Sequence, residues 1–160
     1  MKTIAYFPRL VLFSILLIGA SCSQNGEFSL LDGQKKSLDD YKGQWLLVNF
    51  WAEWCAPCLE EIPAINQFAH LNEPNDVRVL GVSYEPLSNH ELKALVDQWD
   101  IQYPMIATDP VPVLPFSLPP TLPTSYLIDP SGKLVKRLVG LQNLESLTKV
   151  VAEAKKAYKK

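Results

Sequence analysis

Cys55 and Cys58 stand two residues apart in FWAEWCAPCLEEIP, the stretch from Phe50 to Pro63. Two thiols at that spacing can bind a metal, anchor a haem, close a static bridge or cycle between dithiol and disulfide. Zinc takes four ligands, usually from a second close cysteine pair or from two histidines. Beyond this pair the chain offers only His70, His90 and a third cysteine, Cys22. Covalent haem attachment wants histidine directly after the second cysteine, and Leu59 stands there. A bridge across two residues closes so little chain that it stabilises weakly. A working dithiol accounts for the neighbours as well.

The neighbours must position the sulfurs. Trp45-Leu46-Leu47-Val48-Asn49-Phe50-Trp51 is nearly continuous and apolar, the pattern of a strand buried on both faces. From Cys58 the spacing turns helical, with Leu59, Ile62, Ile65 and Ala69 on one face and Glu60, Glu61 and Gln67 expected on the other. Pro63 falls inside this helix and predicts a kink or a missing backbone bond. A strand running into a helix sets Cys55 at the helix N-terminus, where free N–H groups and the dipole favour an anion. That lowers the thiol pKa and makes Cys55 the nucleophile. Cys58, one turn further in and shielded, suits the resolving role. Pro57 restricts the backbone between them. Trp54 is either a core aromatic or a wall of the site that offers apolar surface to a partner.

The remaining elements follow from periodicity and turn residues. Phe28 to Leu31 and Lys36 to Leu38 read as short strands or a hairpin around Asp32-Gly33. Val77 to Val82 is a second central strand. Ser88-Asn89-His90-Glu91 is a capping box, followed by a helix carrying Leu92, Leu95, Val96 and Trp99. Pro104 to Pro123 is dense in proline and predicts a loop. Thr124 to Ile128 and Leu134 to Leu138 flank the turn Pro130-Ser131-Gly132 as a hairpin, and a last helix carries Leu144, Leu147, Val150, Val151 and Ala154. Alternating strands and helices argue an α/β domain.

At 160 residues the chain has room for one compact domain. Hydrophobic residues make up 48% and charged residues 20%, and the net charge of -2 gives nucleic acid no basic stripe to bind. The C-terminal KKAYKK reads as a solvated last helical turn. At the front, Lys2 and Arg9 precede the apolar run Leu10 to Ala20, too short for the roughly 20 residues of a spanning helix and sized like a signal-peptide core. Ile18-Gly19-Ala20-Ser21-Cys22 resembles a bacterial lipobox, which implies cleavage after residue 21 and a lipid on Cys22. Ordinary cleavage nearby and an uncleaved anchor over Ile4 to Ala20 are the competing expectations. Lipidation would also explain an odd cysteine in an exported, disulfide-permissive setting. The expected organisation is a leader over 1–21, a tether over 22–27 and one domain over 28–160.

WAEWCAPC, with Pro63 five residues beyond it, resembles the active-site motif of the thioredoxin fold, and Leu122-Pro123-Thr124 resembles the loop whose proline is cis. The run F-x-L-L-D-G…S-L-x-D-Y-x-G-Q-W-L-L-V-N-F-W before the cysteines is similar to the TlpA/ResA-like branch. The resemblance implies a central mixed β-sheet flanked by helices, with extra strands at the N-terminus. It implies a substrate backbone laid along cis-Pro123, with Leu122 and Thr124 beside it. It also matches Asn49 to a buried aspartate of thioredoxins; asparagine takes no proton, so that route is closed. The resemblance places Glu85 near the cysteines, where partial burial would raise its pKa and let it shuttle the proton of Cys58. Glu53 is expected to be surface decoration. Where the family has a short helix before the cis-proline, this chain has VPVLPFSLPP. That loop borders the site and either alters which partner docks or acts as a rigid spacer.

The function implied is an exported, membrane-tethered thiol-disulfide oxidoreductase of the periplasm or cell envelope. As a reductase it would act on disulfide-bearing exported proteins, apocytochrome c among them, and draw electrons from a membrane thiol carrier of the DsbD/CcdA kind. It would require no metal and no organic cofactor. Oxidase or isomerase activity, and a redox-inert chaperone or metal-delivery module, are the competing functions.

Overall fold

The computed structural model describes residues 26–72 and 76–158. The expected leader over 1–21, the lipidation expected at Cys22, and all but the end of the expected tether lie outside the described residues. Within them, five strands form one sheet: β3 (Trp45–Trp51), β4 (Val77–Ser83), β5 (Met105–Ile106), β6 (Thr124–Ile128) and β7 (Leu134–Val139), in the order β5-β4-β3-β6-β7. A separate antiparallel pair, β1 (Phe28–Ser29) and β2 (Lys35–Lys36), precedes them. The helices are α1 (Ala56–Asn72), α2 (Asn89–Gln98) and α3 (Leu144–Tyr158). This is the thioredoxin-like α/β architecture that the resemblance implies.

β3 is central because it can be. All seven of its residues are buried, and a strand with no polar face belongs in the middle of a covered sheet. It pairs parallel with β4 and antiparallel with β6. Its odd-numbered residues, Leu47 and Trp51 among them, pack with Ile62 and Ile65 of α1, Leu92 of α2 and Leu147 of α3. Its even-numbered residues Leu46, Val48 and Phe50 form a second cluster with Phe28, Leu30, Tyr126 and Ile128, against which Leu114 and Phe116 of the proline-rich loop pack. The loop therefore does a helix's work on that face. Phe116 stands edge-on to Phe50 and Tyr126, at 6.3 and 5.3 Å between ring centres.

Helix ends are closed locally. In α2, Ser88 Oγ accepts from the Glu91 N–H while the Glu91 carboxylate accepts from the Ser88 N–H, the expected capping box. Asn143 Oδ1 accepts from the Ser146 N–H at the start of α3. Pro63 lies inside α1 without ending it.

Two expectations shift. Leu38 forms no strand; Leu38–Tyr41 is a 3-10 turn, because the Asp40 carboxylate accepts from the N–H and hydroxyl of Ser37 and turns the chain there. In the proline-rich stretch, Met105–Ile106 forms an edge strand pairing with Gly81–Val82. Proline is tolerated at its start because Pro104 needs only its carbonyl, which accepts from the Gly81 N–H at 2.9 Å.

Gly81 marks the tightest approach in the sheet. A Cβ there would collide with the Met105 side chain and lie 2.9 Å from the Tyr103 ring. Gly81→Ala should therefore destabilise the fold by about 1–3 kcal/mol through overpacking, read as a lower urea midpoint at unchanged slope.

Candidate active site

β3 and β4 end side by side at Trp51 and Ser83, and β6 begins opposite Phe50 with Thr124. The sheet therefore opens at one end, where α1 starts. Cys55 is the residue before α1, and its carbonyl accepts from the Cys58 and Leu59 N–H groups at 2.9 and 3.2 Å. It occupies the N-cap, the position at which unsatisfied helical N–H groups favour a negatively charged side chain. Cys58 follows one turn inside. The two sulfurs are joined at 2.02 Å, with the Cα atoms 5.2 Å apart. Cys55 is 5% exposed and Cys58 0%, so Cys55 is the less enclosed residue of the pair.

The other expected residues gather around this end. Ala56 and Pro57 are exposed between the cysteines. Trp54 is 63% exposed and stands edge-on to Tyr84, 6.4 Å between ring centres; it is a surface wall and not a core aromatic. Tyr84 is tied to β3 by its N–H donating to the Trp51 carbonyl at 2.8 Å. The Leu122–Pro123 peptide is cis. Leu122 packs against the cluster that contains both cysteines, and Thr124 is buried with its hydroxyl donating to the Thr121 carbonyl at 2.8 Å.

Glu85 does not meet the condition set for it. It lies past the end of β4 and is exposed, so water solvates its carboxylate instead of the protein burying it beside a thiol. Glu53 is exposed, as expected. The buried acid on the cysteines' own helix is Glu61, 1% exposed, three residues after Cys58 in α1. Positions three apart share a helix face, so Glu61 lies on the side of Cys58, Ile62 and Ile65 and not on the polar side.

Both oxygens of Glu61 are satisfied from distant parts of the chain. Asn49 Nδ2 of β3 donates to Oε1 at 2.7 Å, and the Gln142 N–H donates to Oε2 at 2.9 Å. The second hydrogen of the Asn49 amide goes to Ser125 Oγ at 3.1 Å, its partner across the β3–β6 ladder. Asn49 Oδ1 accepts from the Tyr103 hydroxyl at 3.2 Å. Burial, then the charge of Glu61, push the Tyr103 hydroxyl up, so it stays protonated and remains a donor. That bond holds the Asn49 amide with its nitrogen toward Glu61. Asn49 takes no proton itself; it orients a neighbour that does. Burial drives the Glu61 pKa up, opposed by the Gln142 and Asn49 hydrogen bonds, to about 7. A carboxyl poised there gives or takes a proton at neutral pH. Its sequence signal was the three-residue spacing from Cys58; Tyr103, Ser125 and Gln142 carried none. Among the described residues no group of three or more His, Cys, Asp or Glu converges to hold a metal ion.

Residues 23–137 match the family model for the AhpC/TSA family. The chain is 33% identical over 118 residues to the thiol-disulfide oxidoreductase ResA of a Bacillus cereus strain, spanning 73% of this chain and 67% of that protein. It is 31% identical over 121 residues to the thioredoxin-like protein YneN of Bacillus subtilis (strain 168), spanning 73% and 70%. Among solved structures it is similar to the pneumococcal exposed lipoprotein thioredoxin Etrx1 of Streptococcus pneumoniae strain TIGR4. The identity is 26% and the TM-score 0.66, over 81% of this chain and 98% of that one.

The raised acid has a consequence for stability. Unfolded, Glu61 titrates near its ordinary 4.5; folded, near 7. Between those values the folded state holds a proton that the unfolded state has released. The contribution of Glu61 is thus fully present below about pH 4.5 and is lost as pH rises through about 7, by roughly 3 kcal/mol in all. Urea unfolding of the oxidised protein from pH 4.5 to 8 should show this decline in the wild type and a flatter profile in Glu61→Gln. Equal slopes would place the titration on another group.

Proposed function

This chain belongs to the AhpC/TSA family and is a thiol-disulfide oxidoreductase, and from that premise we propose that it reduces disulfides of exported proteins outside the cytoplasm, held to a membrane by a lipid on Cys22. The observation that carries the reading is the asymmetry of the pair: an outer sulfur at a helix N-terminus, an inner sulfur sealed from solvent, and a carboxyl with a pKa near 7 on the inner one's helix face.

The reaction follows from that asymmetry. In the reduced protein the Cys55 thiolate attacks one sulfur of a client disulfide, a new S–S bond forms, and the client's second sulfur leaves as a thiolate. Cys58 then loses its proton to Glu61, and its sulfur attacks Sγ of Cys55, expelling the first client thiolate. The client gains two electrons, and the protein ends as the Cys55–Cys58 disulfide. The dithiol carries both electrons itself, so no metal or organic cofactor takes part. Resetting the pair requires an outside dithiol, and a membrane thiol carrier of the DsbD/CcdA kind fits that need. Apocytochrome c, which must stay reduced before haem attachment, is the proposed client.

The location rests on the leader-like run before Cys22 and on the lipobox resemblance. The likeness to an exposed lipoprotein thioredoxin supports it. No helix among the described residues is long and apolar enough to cross a membrane.

Cys58→Ser should accumulate mixed disulfides with exported proteins through Cys55, recovered with the membrane fraction and released by dithiothreitol. Cys55→Ser should yield few. The same adducts from both variants would reverse the two roles. Release of a preformed mixed disulfide should accelerate as pH rises through about 7. Glu61→Gln should slow that release by roughly 10²-fold, measured by stopped-flow quenching; an unchanged rate would remove Glu61 from the proton path.

A further inference from the structure

The proline-rich loop has a second side. Phe116 and Leu114 seal the sheet face beneath, while Val111, Val113 and Leu118 are 64%, 69% and 49% exposed above it. Between this loop and the end of β4 lies a cleft of about 290 Å³, lined by Val82, Ser83, Tyr84, Thr108, Phe116 and Leu118 among others, with no charged side chain in its wall. That volume has room for one large side chain and lies at the lower end of the roughly 300–1,000 Å³ of small-molecule sites. An uncharged wall excludes an ionised group, which would lose its hydration without gaining a partner.

The cleft borders the redox centre through Tyr84. Tyr84 forms part of its wall and also stacks edge-on against Trp54, the residue before Cys55. Leu122 packs both against the cluster holding the cysteines and against the cluster holding Leu114 and Phe116. A client chain pinned by its sulfur at Cys55 and running past Trp54 and Tyr84 comes to the cleft. Along that path two rings 6.4 Å apart span about two residues of extended chain, so a client would reach the cleft a few residues beyond its cysteine. Prolines 110, 112, 115, 119 and 120 restrict the loop backbone. A wall already held in place loses little entropy on binding.

Resting on the reductase reading, we propose that this cleft is a specificity subsite that seats an uncharged, preferably aromatic side chain of the client, two to four residues from its reactive cysteine. The loop is thus a recognition element as well as a cover for the sheet.

The test uses the full chain in detergent, reduced with dithiothreitol and freed of it. The probes are short synthetic peptides, each joined to an identical copy through its single cysteine. One set carries Phe, Ala or Lys at two, three or four residues to either side of that cysteine. Each rate is divided by the same protein's rate with 2-hydroxyethyl disulfide, which has no side chain to seat. At one of these positions Phe should be reduced at least about tenfold faster than Ala, with Lys no faster than Ala. In Val113→Asp and in Leu118→Asp the Phe-over-Ala ratio should fall toward one. Equal ratios at every position, as would follow if a segment of this chain or a lipid covers the cleft, overturn the proposal. So does a Phe preference that both variants retain. Failure of the wild type to reduce 2-hydroxyethyl disulfide would instead overturn the reductase reading beneath it, and this one with it.

Discussion

A carboxylate with about 1% of its surface exposed is tolerable only if its oxygens find donors inside the protein, and the region beneath the disulfide is built around that requirement. The donors come from β3 through Asn49 and from the segment ahead of α3 through the Gln142 N–H. Ser125 of β6 and Tyr103 ahead of β5 in turn hold the Asn49 amide. Strands of the sheet, the approach to β5 and the segment ahead of α3 thus meet at one acid. Loosening any of them leaves a buried polar atom unpaired, which costs about 1–3 kcal/mol. The network is as much a clamp on the fold as a part of the chemistry.

That clamp explains the unequal cysteines. α1 presents its free N–H groups at Cys55, where a client can reach, and its first inner turn places Cys58 and Glu61 on the buried side. In the proposed reaction one helix therefore supplies electrostatic stabilisation for the outer thiolate and a proton acceptor for the inner thiol. The two effects do not interfere, because one is delivered by the backbone at the helix end and the other by a side chain within it. Keeping a carboxyl near pH 7 sacrifices stability above that pH, a pattern expected where function and folding compete for the same residue.

The sheet divides labour between its faces. The odd-numbered side chains of β3 support the helices and the redox centre; the even-numbered ones support the N-terminal pair and the proline-rich loop. Covering this face with a proline-restricted loop keeps the core sealed through Phe116 while other side chains face outward. Tyr84 and Leu122 join the two regions, so recognition on one side is mechanically close to chemistry on the other.

Much of this was legible in the sequence, and where it was not the reason is physical. The seven apolar residues of β3, the helical spacing after Cys58, the Ser88–Glu91 box and the 124–138 hairpin are local patterns, and local patterns determine local structure. The cysteine spacing at a strand-to-helix junction favoured a working dithiol, the family resemblance strengthened that reading, and the match at Leu122-Pro123-Thr124 anticipated the cis peptide. Glu61 was read as solvent-facing because charged residues are seldom buried, although its spacing from Cys58 lay in plain view. Only the tertiary structure could reverse that, since its hydrogen-bond partners lie 12 and 81 residues away along the chain. Glu85, adjacent to the right strand but past its end, departs from the partial burial expected of it for the complementary reason: burial depends on what packs over a residue, and this one is exposed. Periodicity decides which way a side chain leaves the backbone; which acid becomes the proton carrier is decided by the donors that the fold brings to meet it.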